Sequence, residues 1–486
     1  SGSTLPPMQQ RKIEGQPLLS NAQDRSSTRL KYPKRISYYM SLQPLTLSAQ
    51  SAQQEATYRQ GRLSNGLTYY IRHNAAEPGL AGFYLAQRVG SILEMPHQRG
   101  LAHFLEHMAF NGSTHFRGEG ASPGLISWCE SVGIKFGTNL NACTGVDRTV
   151  YHISSAPVRR QGVVDSCLLI LRDWCDGLLL KEKAIDKERC VVREEWRTRR
   201  TGMAVARMME DAFPVIFKGS KYEDAMPIGH LDVINNFSPD ALRDYYNKWY
   251  RPDLQAVVIV GDVDVNVIES QIKRQFGDLS LPPNAPRRRY YPVADNKRMI
   301  THVMRDAEQP IALAHLYMKR DVKPTSVRSS ERYQQEIYEH DLICLMLNER
   351  LSKQQSEAKA PFTAASVKDG KFLIVQTKKA FSLSVSCKRD QIEAGLSAAV
   401  GLLEQARQWG FTTGELTRAK GILRNKAERC NNQCGQLANH HYAKQCLDHY
   451  LYGEPILSTA EELHVRRKFD AELTLADVNT AIKELV

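Results

Sequence analysis

No uninterrupted apolar run in the sequence approaches the roughly 20 residues that cross a bilayer as a helix, which argues against an integral membrane protein. The densest basic runs, Arg197-Thr198-Arg199-Arg200 and Arg287-Arg288-Arg289, have no aromatic residues interleaved on which nucleic-acid bases could stack. Those runs read as solvated faces. The formal charge of +12 motivates a nucleic-acid or anionic-surface binder on charge alone, but Lys and Arg are spread along the chain, and no nucleic-acid partner is expected. The 10 cysteines lack the dense, regular spacing of a small disulfide scaffold, so most are expected free and buried. Cys430, Cys434, His440, His441 and Cys446 crowd together in residue types that suit zinc, yet their spacing matches no common knuckle or finger. A helical stretch with satisfied polar groups is expected there instead.

What is present is a chain of 486 residues, 42% apolar and 24% charged, which fits a soluble globular protein of two domains. Residues 1–58, rich in Ser, Gln and Pro, read as an irregular arm. From Leu63 the texture changes. Ser64-Asn65-Gly66 is a turn signal, and strands are expected at Leu67–Ile71, Gly82–Val89 and Thr149–Ile153. Helices are expected around 99–110, 123–132 and 158–180, with another from Pro239 to Tyr250 opened by Ser238 as its cap. The short apolar run Gln255–Val260, stopped by Gly261-Asp262, fits a buried strand. A Pro-rich basic linker over 281–292 leads to a second unit of similar element order, and the fold class expected is α+β.

The segment Gly100–Gly112 has helical apolar spacing and a natural stop at Asn111-Gly112. His103 and His107 lie four apart on it, so both imidazoles leave one face a turn apart, the geometry that grips one zinc ion. Glu106 shares that face without having to be a ligand. The pattern is H-x-x-E-H, the inverzincin order of the zinc peptidases. The competing interpretation, a core helix with two satisfied histidines, requires burying His, Glu and His together without a cation, which is costly. A catalytic zinc needs a third protein ligand. On the helical segment Lys187–Trp196, Glu188, Val191, Val192 and Glu195 form one stripe, so Glu195 can ligate while Glu188 orients a ligand from behind. Glu194 points about 100° away. In isolation this segment would read as an exposed acidic face.

With these residues go Arg62-Leu63-Ser64-Asn65-Gly66-Leu67, Val89-Gly90-Ser91, Asn139-Leu140-Asn141-Ala142, Trp249-Tyr250-Arg251-Pro252 leading to Gly261-Asp262-Val263, and Asn348-Glu349-Arg350-Leu351-Ser352. As a set they resemble the pitrilysin-type M16 metallopeptidases, most of all their bacterial periplasmic members. The resemblance implies two related α/β sandwich domains of the LuxS/metallohydrolase-like kind, together one half of a clamshell. It places a catalytic domain at 59–285 with one Zn2+ and a second, non-catalytic domain at 286–486. It further implies zinc-dependent cleavage of peptides or unfolded segments with Glu106 as general base, and Asn141 with Ala142 as an edge that holds substrate backbone. A facing half is expected as a second copy, an inactive partner subunit or a continuation of the same gene, and the location expected is the periplasm or cell envelope of a Gram-negative bacterium. The interval from His107 to Glu195 is somewhat longer than usual in the family, which implies a small insertion. A non-catalytic partner subunit of the same fold is the alternative, and the intact H-x-x-E-H weighs against it.

Overall fold

The computed structural model describes residues 57–202 and 204–486, so the arm expected over 1–58 lies outside the described residues as far as 56. The first unit is a six-stranded sheet of β1 (Tyr58–Arg62), β2 (Thr68–His73), β3 (Leu80–Gln87), β6 (Leu140–Thr144), β7 (Thr149–Pro157) and β8 (Gln255–Gly261), with a small separate hairpin of β4 (Arg117–Glu119) and β5 (Ser122–Gly124). The order is β1-β2-β8-β3-β7-β6; β2 and β8 run parallel and every other pair antiparallel. The expected turn at Asn65-Gly66, with Gly66 at φ +98°, joins β2 to a strand β1 that the residue pattern did not announce. Its helices are α1 (Leu101–Met108), α2 (Val163–Asp176), α3 (Glu182–Gly202), α4 (Pro239–Trp249) and α5 (Val265–Phe276), among others. Ser238 caps α4 as expected, its hydroxyl accepting the N–H of Ala241 at 3.2 Å with Pro239 in the first turn. Helix α2 is shorter than the expected 158–180, because Gly162 at φ +77° breaks the chain before it and Gly177 ends it.

The second unit is a three-stranded antiparallel sheet ordered β10-β11-β9, built from β9 (Ala312–Asp321), β10 (Ala364–Phe372) and β11 (Val375–Cys387). Helices α6 (Glu331–Gln355), α7 (Ile392–Trp409) and α9 (Leu475–Leu485) pack on it through Leu342, Met346, Leu403 and Ile482 against Leu383 and Val385. Helix α8 (Asn439–Tyr452) does something different: it lies on the outer face of the first sheet. This explains the unbroken apolar run of β8, buried at every position. Val257 and Ile259 face the first core, while Val258 and Val260 face Tyr442, Ala443, Cys446 and Tyr450 of α8. A strand covered on both faces has no solvent side to hold polar residues. Burying each such Val or Ile contributes about 1.5–3 kcal/mol.

The linker at 281–292 has no regular element, and of its basic run Arg287 and Arg289 are exposed as expected while Arg288 is not. Arg288 is buried and donates to Asp147 Oδ1 at 2.9 Å and to the Arg88 carbonyl at 3.2 Å. Tyr222 donates to the other oxygen of Asp147 at 3.0 Å and accepts the N–H of Gln376 on β11 at 3.3 Å. This chain of contacts ties the first unit, the linker and the second unit together. A charge read as solvated is here desolvated and paired. Breaking a buried pair from one side strands the other charge, so Arg288→Met should destabilise the fold by about 3 kcal/mol. Adding Asp147→Asn to that variant should recover part of the loss. Denaturant midpoints of the two single variants and the double variant measure it; an unshifted Arg288→Met midpoint would show that the pair contributes nothing.

Candidate metal centre

Helix α1 starts where Gly100, at φ +104°, turns the chain into its first residue with Gly229 packed close against it. A side chain there would be strained by the φ and would press on the Gly229 backbone, 3.2 Å from an added Cβ. The buried carboxylate of Glu94 accepts the N–H groups of Gly100 at 3.1 Å and Ala102 at 2.7 Å, satisfying free donors at the helix start. Burial pushes the Glu94 acid up to about 8, against the pull of those N–H groups and of Arg99. Leu101, Phe104, Leu105 and Met108 fix the inner face of α1 in the core. His103, Glu106 and His107 are thereby presented on the opposite side.

Helix α3 brings Glu195 to them. Its Oε2 lies 3.2 Å from His107 Nε2 and 3.5 Å from His103 Nε2, and one ligand atom from each of the three residues falls within 4.8 Å of the others. Among the described residues this is the one group of three or more His, Cys, Asp or Glu side chains so arranged. Cys430, Cys434, His440, His441 and Cys446 form no such group; Cys446 is buried beneath the first sheet while Cys434 is exposed. Two turns back from Glu195, Glu188 receives His107 Nδ1 at 2.8 Å on one oxygen and Asn111 Nδ2 at 2.9 Å on the other. Asn111, read from the sequence only as a helix stop, also donates to the His107 carbonyl at 3.0 Å. Glu194 points outward to Arg197.

The electrostatics call for a cation. His107 faces a carboxylate from each ring nitrogen; burial disfavours its charged form, but the hydrogen bonds to Glu188 and Glu195 outweigh this and raise it to about 9. Burial, then the neighbouring His107 charge, lowers His103 to about 4. The hydrogen bond from His107 depresses Glu195 to about 2. Two imidazole nitrogens and a carboxylate oxygen thus converge on one point, and this N/O donor set fits zinc.

Two residues that sequence reasoning passed over hold the carboxylates. Arg199, from a run read as solvated, donates to Glu195 Oε1 at 2.8 Å and leaves Oε2 toward the histidines. Its spacing, four on from Glu195, was the available signal. Thr144, the last residue of β6, donates its hydroxyl to Glu106 Oε2. Burial raises the Glu106 acid, against the hydrogen bond from Thr144. Asn141 and Ala142 lie on the same strand, Asn141 exposed and Ala142 half-buried. Strand β6 pairs with β7 on one side and is the outer strand of the sheet.

Residues 81–213 match the family model of insulinase, peptidase family M16, and residues 236–423 match the peptidase M16 inactive domain. The chain is 26% identical over 426 residues to a zinc protease PQQL-like of Arabidopsis thaliana, covering 87% of this chain and 40% of that one. It is 27% identical over 439 residues to the probable zinc protease PqqL of Escherichia coli K12, covering 89% and 45%. The chain therefore spans less than half the length of these relatives. The crystal structure of the first half of the periplasmic protease PqqL from Escherichia coli superposes with a TM-score of 0.78 at 25% identity, covering 88% of this chain and 89% of that one. With the α+β fold, both family matches and this likeness in agreement, the chain belongs to peptidase family M16.

Proposed function

We propose that this chain is a zinc-dependent endopeptidase that hydrolyses peptides or unfolded segments, with His103, His107 and Glu195 holding one zinc ion. The observation that carries the reading is the convergence of His103 Nε2, His107 Nε2 and Glu195 Oε2 beside Glu106. A bound zinc would supply Lewis acidity toward water and the scissile carbonyl. Glu106 accepts a proton from the attacking water and later delivers it to the leaving amine, so no covalent enzyme intermediate is needed. Glu188 fixes the ring orientation of His107 through Nδ1. The outer strand β6, which carries Asn141 and Ala142, is an edge to which an extended peptide can add as a further strand.

In this reading residues 59–285 are the catalytic domain and 286–486 a second, non-catalytic one, together one half of a two-part chamber. Its supports are the two sheets and the M16 inactive-domain match. The facing half is a second copy, an inactive subunit or a continuation of the chain, and it matters because enclosure orients the peptide and excludes bulk water. A periplasmic or envelope location follows from the likeness to PqqL. Metal analysis combined with digestion of an unstructured fluorogenic peptide tests the function. About one zinc per chain is expected, with cleavage abolished by chelator, restored by zinc, and rising more steeply than protein concentration if copies face one another. A folded chain that takes up no zinc would overturn the proposal.

A further inference from the structure

We infer that Thr144 is a positioning residue for Glu106, coupling the outer strand β6 to the base that serves the reaction; the inference rests on the peptidase reading above. Among the contacts of Glu106, the Thr144 hydroxyl donates to Oε2. An ionised carboxylate can only accept, so the direction of this hydrogen bond is fixed: the Thr144 proton lies toward Glu106 and the threonine oxygen keeps its covalent bonds throughout. Oε2 is thus held, and a hydrogen bond from the Thr144 backbone N–H also reaches the Glu106 carboxylate.

Thr144 is itself held rigidly. It is the last residue of β6 and lies opposite Thr149 of β7 across a tight turn closed by the Gly145 N–H on the Arg148 carbonyl at 2.7 Å. The turn is fastened to the 3-10 helix at Ser91–Leu93, where Ile92 N–H donates to the Val146 carbonyl at 2.9 Å. Thr149 in turn donates to the Val89 carbonyl at 2.9 Å. A β-branched side chain on so fixed a backbone has little rotamer freedom. The same short strand carries Asn141 and Ala142, so a peptide seated along β6 and the carboxylate oriented from its end share one rigid frame. Sites held on regular elements keep the placement that reaction needs, whereas a shift of about 1 Å can lower rate by about 100-fold.

The test compares Thr144→Val, which keeps the branched shape and removes the hydroxyl, with Thr144→Ser, which restores a hydroxyl on a slimmer side chain. Each zinc-loaded chain is assayed on an unstructured peptide beside the wild type and Glu106→Gln, with zinc content and thermal midpoint measured in parallel. For Thr144→Val the expected result is a kcat lower by about 10- to 100-fold, KM within about twofold, and unchanged zinc content. Thr144→Ser should recover most of kcat. A Thr144→Val chain with wild-type kcat overturns the inference. So does a loss confined to KM or zinc content, or a Thr144→Ser chain as impaired as Thr144→Val. A zinc-loaded wild-type chain that cuts no peptide removes the peptidase reading and this inference with it, an outcome distinct from a defect in the variant alone.

Discussion

Glu106→Gln should leave zinc in place and lower peptide hydrolysis by at least about 100-fold, within the roughly 100- to 10,000-fold that a positioned general base supplies. The amide is nearly isosteric with the acid, so the packing of α1 stays as it is. Its carbonyl oxygen can still accept the Thr144 hydroxyl. What it cannot do is take up the proton of the attacking water. Zinc content should not change, because Glu106 contributes no atom to the group formed by His103, His107 and Glu195. The loss should fall on kcat, with KM little altered, since the interaction removed matters in the transition state. Zinc content and peptide turnover measured on one preparation decide the matter. A folded, zinc-loaded Glu106→Gln chain with substantial activity would take the residue out of its role.

The difference between what was legible in the sequence and what was not follows the range of the contacts. The placement of His103, Glu106 and His107 on one helical face is local, fixed by a period of about 3.6 residues, and needed no tertiary information. The stripe from Glu188 to Glu195 is equally local, and the structure shows Glu188 and Glu195 both reaching His107. Thr144 is different: it meets Glu106 only because β6 ends beside α1, a contact between residues 38 apart in sequence. Arg288 is a sharper case. In a run of three arginines nothing distinguishes it, and its burial depends on Asp147, 141 residues away. Strand β6, with Asn141 and Cys143 exposed and Ala142 and Thr144 half-buried, offers no strong alternation to read. The continuous apolar run of β8 was legible as a buried strand, but the helix covering its outer face comes from 439–452, near the other end of the chain. Local period reveals elements; which surfaces they cover is decided by the fold.

Glu195→Ala should lose zinc, whereas Glu194→Ala should keep it. The two carboxylates are neighbours on α3, yet helical geometry separates their directions by about 100°. Glu195 turns toward His103 and His107, while Glu194 has 64% of its side chain exposed and pairs with Arg197. Removing Glu195 leaves two imidazoles, one fewer protein ligand than a catalytic zinc site uses. It also strips His107 of one of its two carboxylate neighbours and Arg199 of its partner. Affinity should fall by more than the roughly 10- to 100-fold typical of losing a residue behind a ligand. Glu188→Gln belongs to that milder class, since Glu188 touches the ring of His107 at Nδ1 and not at Nε2. Competition against a chromogenic chelator orders the three variants without reference to activity: Glu195→Ala weakest, Glu188→Gln intermediate, Glu194→Ala like the wild type. Normal zinc affinity in Glu195→Ala together with loss in Glu194→Ala would move the third ligand to Glu194.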